Sequence, residues 1–236
     1  MIKLVVSDVD GTITFDRTEF PLDCRALEAI REARERGVII ALSSGNSLPV
    51  IMGLSRYTGA LGPVIAENGC IIYHQGNIVR LCKGRPPDWI LEKMRELGLE
   101  GSWQNRYRDH DIAFPVPLDG SGEKYYKMAR KIVEESGWDG RILYSGFAIH
   151  LQPPGGGKGK ALVMLARMLG LRRSQVLAIG DSKNDIEMLV AAGSSAVPSN
   201  ADEEAKAVAS YVASKPSGEG FKEIIEALIL GEMAHG

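Results

Sequence analysis

Short unbroken apolar runs alternate along this chain with stretches of helical periodicity. The run from Ile2 to Val6 is followed by a segment from Asp23 to Gly37 whose apolar residues share one helix face. The same alternation returns in Val38 to Leu42 and Ser47 to Tyr57, and again after residue 157. Continuous apolar strands separated by helices are typical of a parallel sheet covered on both faces. We therefore predict a Rossmann-like α/β core.

The pattern changes in the middle of the chain. A hairpin is predicted around Gln75-Gly76-Asn77, and the pair Pro86-Pro87 then interrupts the chain. The segment that follows contains two helical patterns and two short strands. We predict an inserted, smaller α+β domain over residues 84–153, with a core made of residues 1–83 and 154–236.

Composition excludes several classes of protein. The apolar fraction of 44%, the charged fraction of 25% and the formal net charge of -2 indicate an ordinary globular protein with no nucleic-acid partner. No apolar run approaches the roughly 18 residues of a membrane span, and acids interrupt the first run where a signal peptide would continue. The three cysteines, Cys24, Cys70 and Cys82, are odd in number, so we expect small buried side chains and no disulfide. These features predict a cytoplasmic protein, and they leave open whether it is a monomer or a homodimer.

Two pairs of acids follow predicted strands directly. Asp8 and Asp10 come after the first strand, and Asp181 and Asp185 come after the strand VLAI. In open parallel sheets, ligands bind beyond the carboxyl ends of the strands. Four carboxylates at one place repel each other unless a cation is bound, and oxygen ligands with room for water and phosphate favour magnesium. Any one of these acids alone would be interpreted as a helix cap or a turn residue.

Other polar residues complete a predicted phosphate site. Ser44 and Gly45 follow the second strand, and Lys158 begins a helix. A hydroxyl group, backbone amides and an ammonium group orient a phosphoryl group and neutralise its charge. Taken singly, Ser44 would be a turn residue, Lys158 an exposed lysine and Asn184 a helix cap. A nucleotide-binding P-loop is disfavoured because Gly159, not Ser or Thr, follows the lysine.

The order of these motifs resembles the haloacid dehalogenase superfamily of phosphatases. The sequence matches D-x-D-G-T, a serine after the second strand, a lysine, and G-D-x-x-N-D. The insertion is similar to the second type of cap domain in that superfamily. Among its members, the chain is most similar to archaeal-type phosphoglycolate phosphatases and to related sugar-phosphate phosphatases.

The resemblance implies a role for each matching residue. Asp8 attacks phosphorus, and Asp10 protonates the leaving alcohol and then activates water. Mg²⁺ is held by the Asp8 carboxylate, the Asp10 carbonyl and Asp181, with Asp185 bound directly or through water.

The residues expected to bind the phosphoryl oxygens are Ser44, Gly45 and Lys158. Asn184 and Asn46 are expected to support the site. Asn46 stands where many relatives have arginine, so contacts of that arginine are not carried over.

The resemblance leaves several functions open. The best guess is hydrolysis of 2-phosphoglycolate, a small phosphorylated metabolite, and a sugar-phosphate phosphatase or a phosphotransferase or mutase of the same fold are alternatives. A further alternative is a phosphate-responsive signalling module with slow turnover that resembles a receiver domain, although Asp10 and the insertion disfavour it.

The segment Arg106 to Asp111 carries a histidine between acids. We interpret it as a solvated edge strand, with a metal site or substrate contacts as alternatives. His74 and His150 have no evident partners in the sequence.

Overall fold

The structure is a computed structural model that describes residues 1–231. Within these residues, the strands form two β-sheets, which pack with eight α-helices. The strands are, in chain order, β1 (Leu4–Ser7), β2 (Ile39–Ser43), β3 (Leu61–Ala66), β4 (Ile71–His74), β5 (Asn77–Arg80), β6 (Ile112–Pro115), β7 (Arg141–Tyr144), β8 (Ala148–Gln152), β9 (Val176–Ile179), β10 (Ser194–Val197) and β11 (Tyr211–Val212). The helices are α1 (Cys24–Glu35), α2 (Leu48–Tyr57), α3 (Asp88–Glu96), α4 (Gly122–Glu135), α5 (Lys158–Met168), α6 (Ile186–Ala191), α7 (Glu203–Lys206) and α8 (Ser217–Ile225). A wider, π-helical turn over Glu226–Leu230 continues α8.

The large sheet has the strand order β11-β10-β9-β1-β2-β3-β4-β5. Its strands from β11 to β3 are parallel, and the hairpin β4–β5 joins one edge in antiparallel orientation. Both the predicted parallel α/β core and the predicted hairpin are confirmed. The sequence did not predict that the hairpin extends the main sheet.

Strand β1 lies in the middle of the large sheet because it can be buried on both faces. Val5 packs into the apolar cluster that includes α1, α2 and α8. Leu4 and Val6 face the opposite cluster, which includes α5 and α6. Burying one such side chain contributes about 1.5 to 3 kcal/mol, so this strand anchors the sheet. Asp8 follows it directly and is thereby held at the carboxyl edge.

The small sheet has the order β6-β8-β7 and is antiparallel. All three strands lie within residues 84–153, which we call the small layer. Its residues alternate between two faces, with Phe114 and Ile149 packed on α3 and α4. On the other face, Ala113 and His150 line a cavity. The sequence predicted β7 and β8 but missed β6, and the domain boundaries stay a prediction.

The segment Arg106 to Asp111 is not a solvated edge strand, and that prediction was wrong. A short 3₁₀ helix, Trp103–Tyr107, is followed by a turn in which Arg108, His110 and Asp111 are buried. The turn is held by the carboxylate of Glu67, which accepts hydrogen bonds from three successive backbone amides of residues 109–111.

The prediction of no disulfide was also wrong. Cys70 and Cys82 are bonded, and their Cα atoms are 4.8 Å apart. The hairpin explains this pairing, because Ile71 lies opposite Arg80 and the Leu81 amide donates to the Cys70 carbonyl oxygen, which brings the next residue, Cys82, beside Cys70. Cys24 is free and exposed, not buried as expected.

The membrane prediction concerns helix length and polarity. Within residues 1–231, no helix combines the length and the apolar character needed to cross a bilayer.

Candidate active site

Three carboxylates meet at the carboxyl edge of the large sheet. Strands β1 and β9 are adjacent and parallel, so Asp8 and the loop after β9 emerge side by side. Asp8, Asp181 and Asp185 are buried, and each offers an oxygen within 4.8 Å of the others. The structure thus brings together acids that are more than 170 residues apart in the chain.

A glycine permits the close approach of the two loops. Gly11 has a φ of +82°, and a Cβ atom built there would lie 2.3 Å from Asp181 Oδ2. A larger residue would therefore meet both backbone strain and a direct clash with a site carboxylate.

Lys158 sits inside the acid cluster. It is the first residue of α5, and its Nζ lies 2.5 Å from Asp8 Oδ1 and 2.6 Å from Asp185 Oδ1. The second oxygen of Asp185 accepts hydrogen bonds from the backbone amides of Asp181 and Ser182 and from the Ser182 hydroxyl. Asp185 is therefore engaged on both oxygens and holds a fixed orientation.

Burial disfavours the ionised form of these carboxyl groups and so raises their pKa. It raises the pKa of Asp8 well above its ordinary value, as does Asp185, against the opposing charge of Lys158. Burial raises the pKa of Asp181 to about 7, although Arg17 opposes the shift. The pKa of Asp10 rises to about 6 for the same reason. A carboxyl group with a pKa near 6 can both donate and accept a proton near neutral pH.

The donor set fits a divalent cation. Carboxylate oxygens are the hard ligands that Mg²⁺ and Ca²⁺ prefer. Within residues 1–231, Asp8, Asp10 and Asp181 line the cavity and Asp185 contacts Lys158, while Lys158 and Arg17 are the only cationic side chains that the large sheet and its loops contribute to the lining. An added divalent ion would offset this excess of negative charge.

Ser44 lies at the end of β2, next to the acids. Its Oγ accepts hydrogen bonds from the backbone amide of Asn46 at 3.1 Å and from Asn46 Nδ2 at 2.9 Å, which leaves the hydroxyl free to donate. Ser44 and Gly45 both line the cavity. Asn46 Oδ1 in turn accepts from Gln104 Nε2 at 2.8 Å, so this turn is also bonded to the small layer.

Asn184 also joins the two parts of the molecule. It lines the cavity, and its Nδ2 donates to the Tyr144 carbonyl oxygen at 2.9 Å. Its amide therefore contacts β7 of the small layer.

A cavity of about 500 Å³ separates the acid cluster from the small layer. The small layer contributes polar residues such as Gln104, Arg108 and His150 and apolar ones such as Val116 and Phe147. The Asp10 carboxylate lines the same cavity, and within residues 1–231 its side chain accepts no hydrogen bond from another residue.

Sequence reasoning missed Arg17. Its Nε lies 2.7 Å from Asp181 Oδ2, its Nη2 donates to the Asp181 carbonyl oxygen, and its Nη1 lies 2.9 Å from Asp202 Oδ1. It orients a carboxylate of the cluster. Arg17 lies beyond the D-x-D-G-T motif, in an irregular stretch before α1 that carries no periodic pattern, so its contacts could not be inferred from local pattern.

His150 was expected to lack partners, which was wrong. Its Nδ1 lies 2.9 Å from Asp111 Oδ1, and Asp111 also accepts from Arg108 Nη1 at 2.9 Å. Alternation along β8 was the available signal, because it places His150 on the face opposite the apolar residues Ile149 and Leu151.

Comparisons with known proteins cover nearly the whole chain. A phosphoglycolate phosphatase of Aeropyrum pernix is 40% identical over 233 residues, which is 99% of this chain and 96% of the relative. One from Metallosphaera sedula is 40% identical over 97% of this chain and its own full length. A solved structure from Thermoplasma acidophilum has a TM-score of 0.83 at 33% identity, and covers 96% of this chain and 98% of that one.

The family comparison agrees with the motifs and the fold. A family model of haloacid dehalogenase-like hydrolases matches residues 5–83 and 116–225. The predicted resemblance, the fold class and the prediction of an enzyme are thus confirmed. The chain belongs to the haloacid dehalogenase-like hydrolases.

Proposed function

We propose that the protein is a magnesium-dependent phosphomonoester hydrolase that cleaves 2-phosphoglycolate through an aspartyl-phosphate on Asp8. The observation that carries the proposal is the buried Asp8 carboxylate, bonded to Lys158 beside Asp181, with the unpaired Asp10 two residues further on. The substrate is suggested by the relatives from Aeropyrum and Metallosphaera, which are named phosphoglycolate phosphatases.

The first chemical step transfers the phosphoryl group to the enzyme. A carboxylate oxygen of Asp8 forms a bond to phosphorus while the bond from phosphorus to the ester oxygen breaks. Asp10 in its protonated form gives its proton to the departing alkoxide, and glycolate leaves as the alcohol. Ser44 and Lys158 bind the phosphoryl oxygens in this proposal, and the Lys158 ammonium offsets their charge.

The second step regenerates the enzyme. A water molecule attacks the phosphorus, and Asp10, now a carboxylate, takes a proton from it. The bond between phosphorus and the Asp8 oxygen breaks and inorganic phosphate is released. The pKa of Asp10, raised by burial to about 6, suits a group that must act first as an acid and then as a base.

Magnesium is the proposed cofactor. Asp8, Asp181, the Asp10 carbonyl and Asp185, directly or through water, would hold it. When bound, Mg²⁺ would neutralise charge on the phosphoryl oxygens and lower the repulsion between phosphate and the acids. The occupied oxygens of Asp185 favour contact through water for that residue.

The small layer is proposed to act as the cap of a cytoplasmic enzyme. Its residues line the same cavity as Asp8, Asp10 and Asp181. A cover of this kind excludes bulk water and selects the substrate. A receiver-like signalling module has no need of such a cover or of Asp10.

Phosphate release from 2-phosphoglycolate tests the proposal. The assay compares wild type with Asp8→Asn, in magnesium and in excess chelator. We expect magnesium-dependent turnover that is lost in the variant, because an amide cannot serve as the nucleophile. Asp139→Asn, an exposed acid of the small layer, is the matched control and should behave as wild type. Undiminished turnover in Asp8→Asn or in chelator would contradict the proposal.

A further inference from the structure

The small layer places two basic side chains on the cavity wall. Of its residues that line the cavity within the described part of the chain, only Arg108 and His150 are basic. The basic groups on the opposite wall are already paired, since Lys158 contacts Asp8 and Asp185 while Arg17 contacts Asp181. A second negative group on the substrate would thus find its free donors on the small layer.

Arg108 has donors left over although it is buried. The residue is 4% exposed, and its Nη1 donates to Asp111 Oδ1 at 2.9 Å. Its Nε is buried and has no hydrogen-bond partner among residues 1–231. Buried donors without acceptors are rare because each forfeits a hydrogen bond with water. An arginine fork binds a carboxylate through two parallel hydrogen bonds.

The guanidinium group is held in place by a network. Asp111, its acceptor, also contacts His150 Nδ1 at 2.9 Å and Asn68 Nδ2 at 2.9 Å. The turn that carries Arg108 and Asp111 is bonded through its backbone amides to Glu67 of the large-sheet side. A donor that is fixed before binding loses little entropy when a ligand arrives.

This network touches the proposed phosphoryl-binding turn. A Cβ atom built on Gly45 would lie 3.1 Å from His150 Cε1 and 3.1 Å from the side-chain amide of Asn68. Both of those residues contact Asp111, which contacts Arg108. Ser44, Gly45 and Arg108 also line the same cavity, so a short phosphoester bound at Ser44 and Gly45 shares that cavity with the guanidinium.

We propose that Arg108 binds the carboxylate of the substrate, and that Asp111 and His150 are positioning residues that fix the guanidinium. The protein thereby selects small phosphomonoesters that carry an acid group close to the ester. This inference rests on the proposed phosphatase function and names the residue that sets its substrate class.

The test compares two esters that differ in the carboxylate. The ratio of kcat/KM for 2-phosphoglycolate to that for ethyl phosphate is measured in wild type and in Arg108→Gln. A site built around hydrogen bonds to a group discriminates strongly against a ligand that lacks it. We expect wild type to favour 2-phosphoglycolate and Arg108→Gln to lower the ratio on the order of 30-fold, in line with the loss of a charged hydrogen bond.

Two variants control the comparison. Arg106→Gln removes an exposed arginine of the same segment that does not line the cavity, so its ratio should equal that of wild type. Arg108→Lys keeps the charge but loses the fork, and we expect a ratio between those of wild type and Arg108→Gln. It replaces Arg108→Gln if that variant does not fold, and an unchanged ratio would then overturn the proposal.

Other outcomes separate this inference from the proposed function. A preference for 2-phosphoglycolate that survives in Arg108→Gln overturns the role of Arg108 and leaves the phosphatase intact. If wild type hydrolyses 2-phosphoglycolate and ethyl phosphate equally well, the role of Arg108 is likewise overturned and the phosphatase function stands. If neither ester is hydrolysed, the proposed function fails, and calorimetry of Asp8→Asn with each ester decides the inference. Tighter binding of 2-phosphoglycolate that depends on Arg108 supports it, and equal binding overturns it.

Discussion

The two walls of the cavity are built in different ways. On the large-sheet wall, Asp8 and Asp10 are two residues apart and follow a buried strand directly, so backbone geometry alone places them at the site. On the small-layer wall, Arg108 is placed by a network with Asp111 and His150 that brings together a turn and a strand. The side chains of the first wall are positioned by the large sheet alone, whereas those of the second are positioned correctly only when the two layers pack together.

The difference separates two properties of the enzyme. The large-sheet wall carries the proposed chemistry, which is the same for every phosphoester. The small-layer wall contacts whatever is attached to the phosphate. Substitutions on the first wall should therefore lower turnover of all substrates alike, and those on the second should change the preference between substrates.

The largest expected effect comes from Asp10→Asn. The variant keeps the shape of the side chain but cannot give or take the proton, so kcat should fall by about 10²- to 10⁴-fold. The fall should be similar for 2-phosphoglycolate and ethyl phosphate, because both need the same proton transfers. Steady-state phosphate release checks this.

Comparing the two esters distinguishes a loss of proton transfer, which affects both, from a loss of binding of one substrate. Exposed Asp139→Asn serves again as the control. Turnover within threefold of wild type, or a fall confined to 2-phosphoglycolate, would remove the proton-transfer role from Asp10 and break the division between the walls.

The large-sheet wall was also the part of the site that the sequence could predict. Asp8 and Asp181 each follow an unbroken apolar run, and parallel strands end at one edge, so a local pattern was enough to bring them together. Lys158 could be placed because it opens a helix after a glycine run. Even there, Arg17 was missed, because an irregular stretch carries no periodic pattern.

The small-layer wall could not be predicted in this way. The turn that buries Arg108 is held by Glu67, 41 residues earlier, whose carboxylate accepts hydrogen bonds from the backbone amides of residues 109–111. No local sequence pattern encodes such a contact. The disulfide was different. The hairpin was predicted, and in the structure it brings Cys70 next to Cys82, but the prediction of no disulfide was made from the odd number of cysteines without the hairpin register.

The second prediction tests how the small-layer wall is held. Asp111→Asn leaves the buried Arg108 without its carboxylate, and breaking a buried ion pair in this way costs about 3 to 5 kcal/mol. We expect that loss in the free energy of urea unfolding. Asp109→Asn is a close control, because Asp109 pairs with Arg80 in an exposed bridge that is worth about 0 to 1 kcal/mol. Equal effects of the two variants would show that the buried network does not stabilise the small layer.

The third prediction concerns the junction of the two walls. Cys82 follows β5 where the chain leaves the large sheet, and a Cβ atom on Gly156, where the chain returns, would meet its Sγ at 2.3 Å. Cys82→Ala should lower the free energy of unfolding by about 3 kcal/mol, the loop-closure value for a link of this length. The preference for 2-phosphoglycolate over ethyl phosphate should stay as in wild type, because no residue of either wall is changed. Cys24→Ala, at an exposed free cysteine, is the control, and a matching loss there would contradict the prediction.

The smallest expected effect is on the pH dependence of stability. Burial opposes the ionisation of Asp111, but the charges of His150 and Arg108 outweigh it and lower the pKa of this carboxyl below its ordinary value. The unfolded chain therefore binds a proton at Asp111 more readily than the folded protein does. The contribution of Asp111 is complete above an ordinary aspartate pKa of about 3.9, and it is lost as the pH falls toward the lower folded value.

Asp111→Asn should remove this part of the acid sensitivity. Burial raises the pKa of Glu67, and the Asp111 charge adds a smaller rise, so Glu67 changes stability in the opposite direction. The larger part, due to burial, is present in both proteins and is common to the comparison. Unfolding free energies at pH 5 and pH 3 should show a larger drop for wild type than for Asp111→Asn, whereas Asp109→Asn should follow wild type. An equal drop in all three would mean that Asp111 does not carry a buried charge, and the network that fixes Arg108 would lose its electrostatic basis.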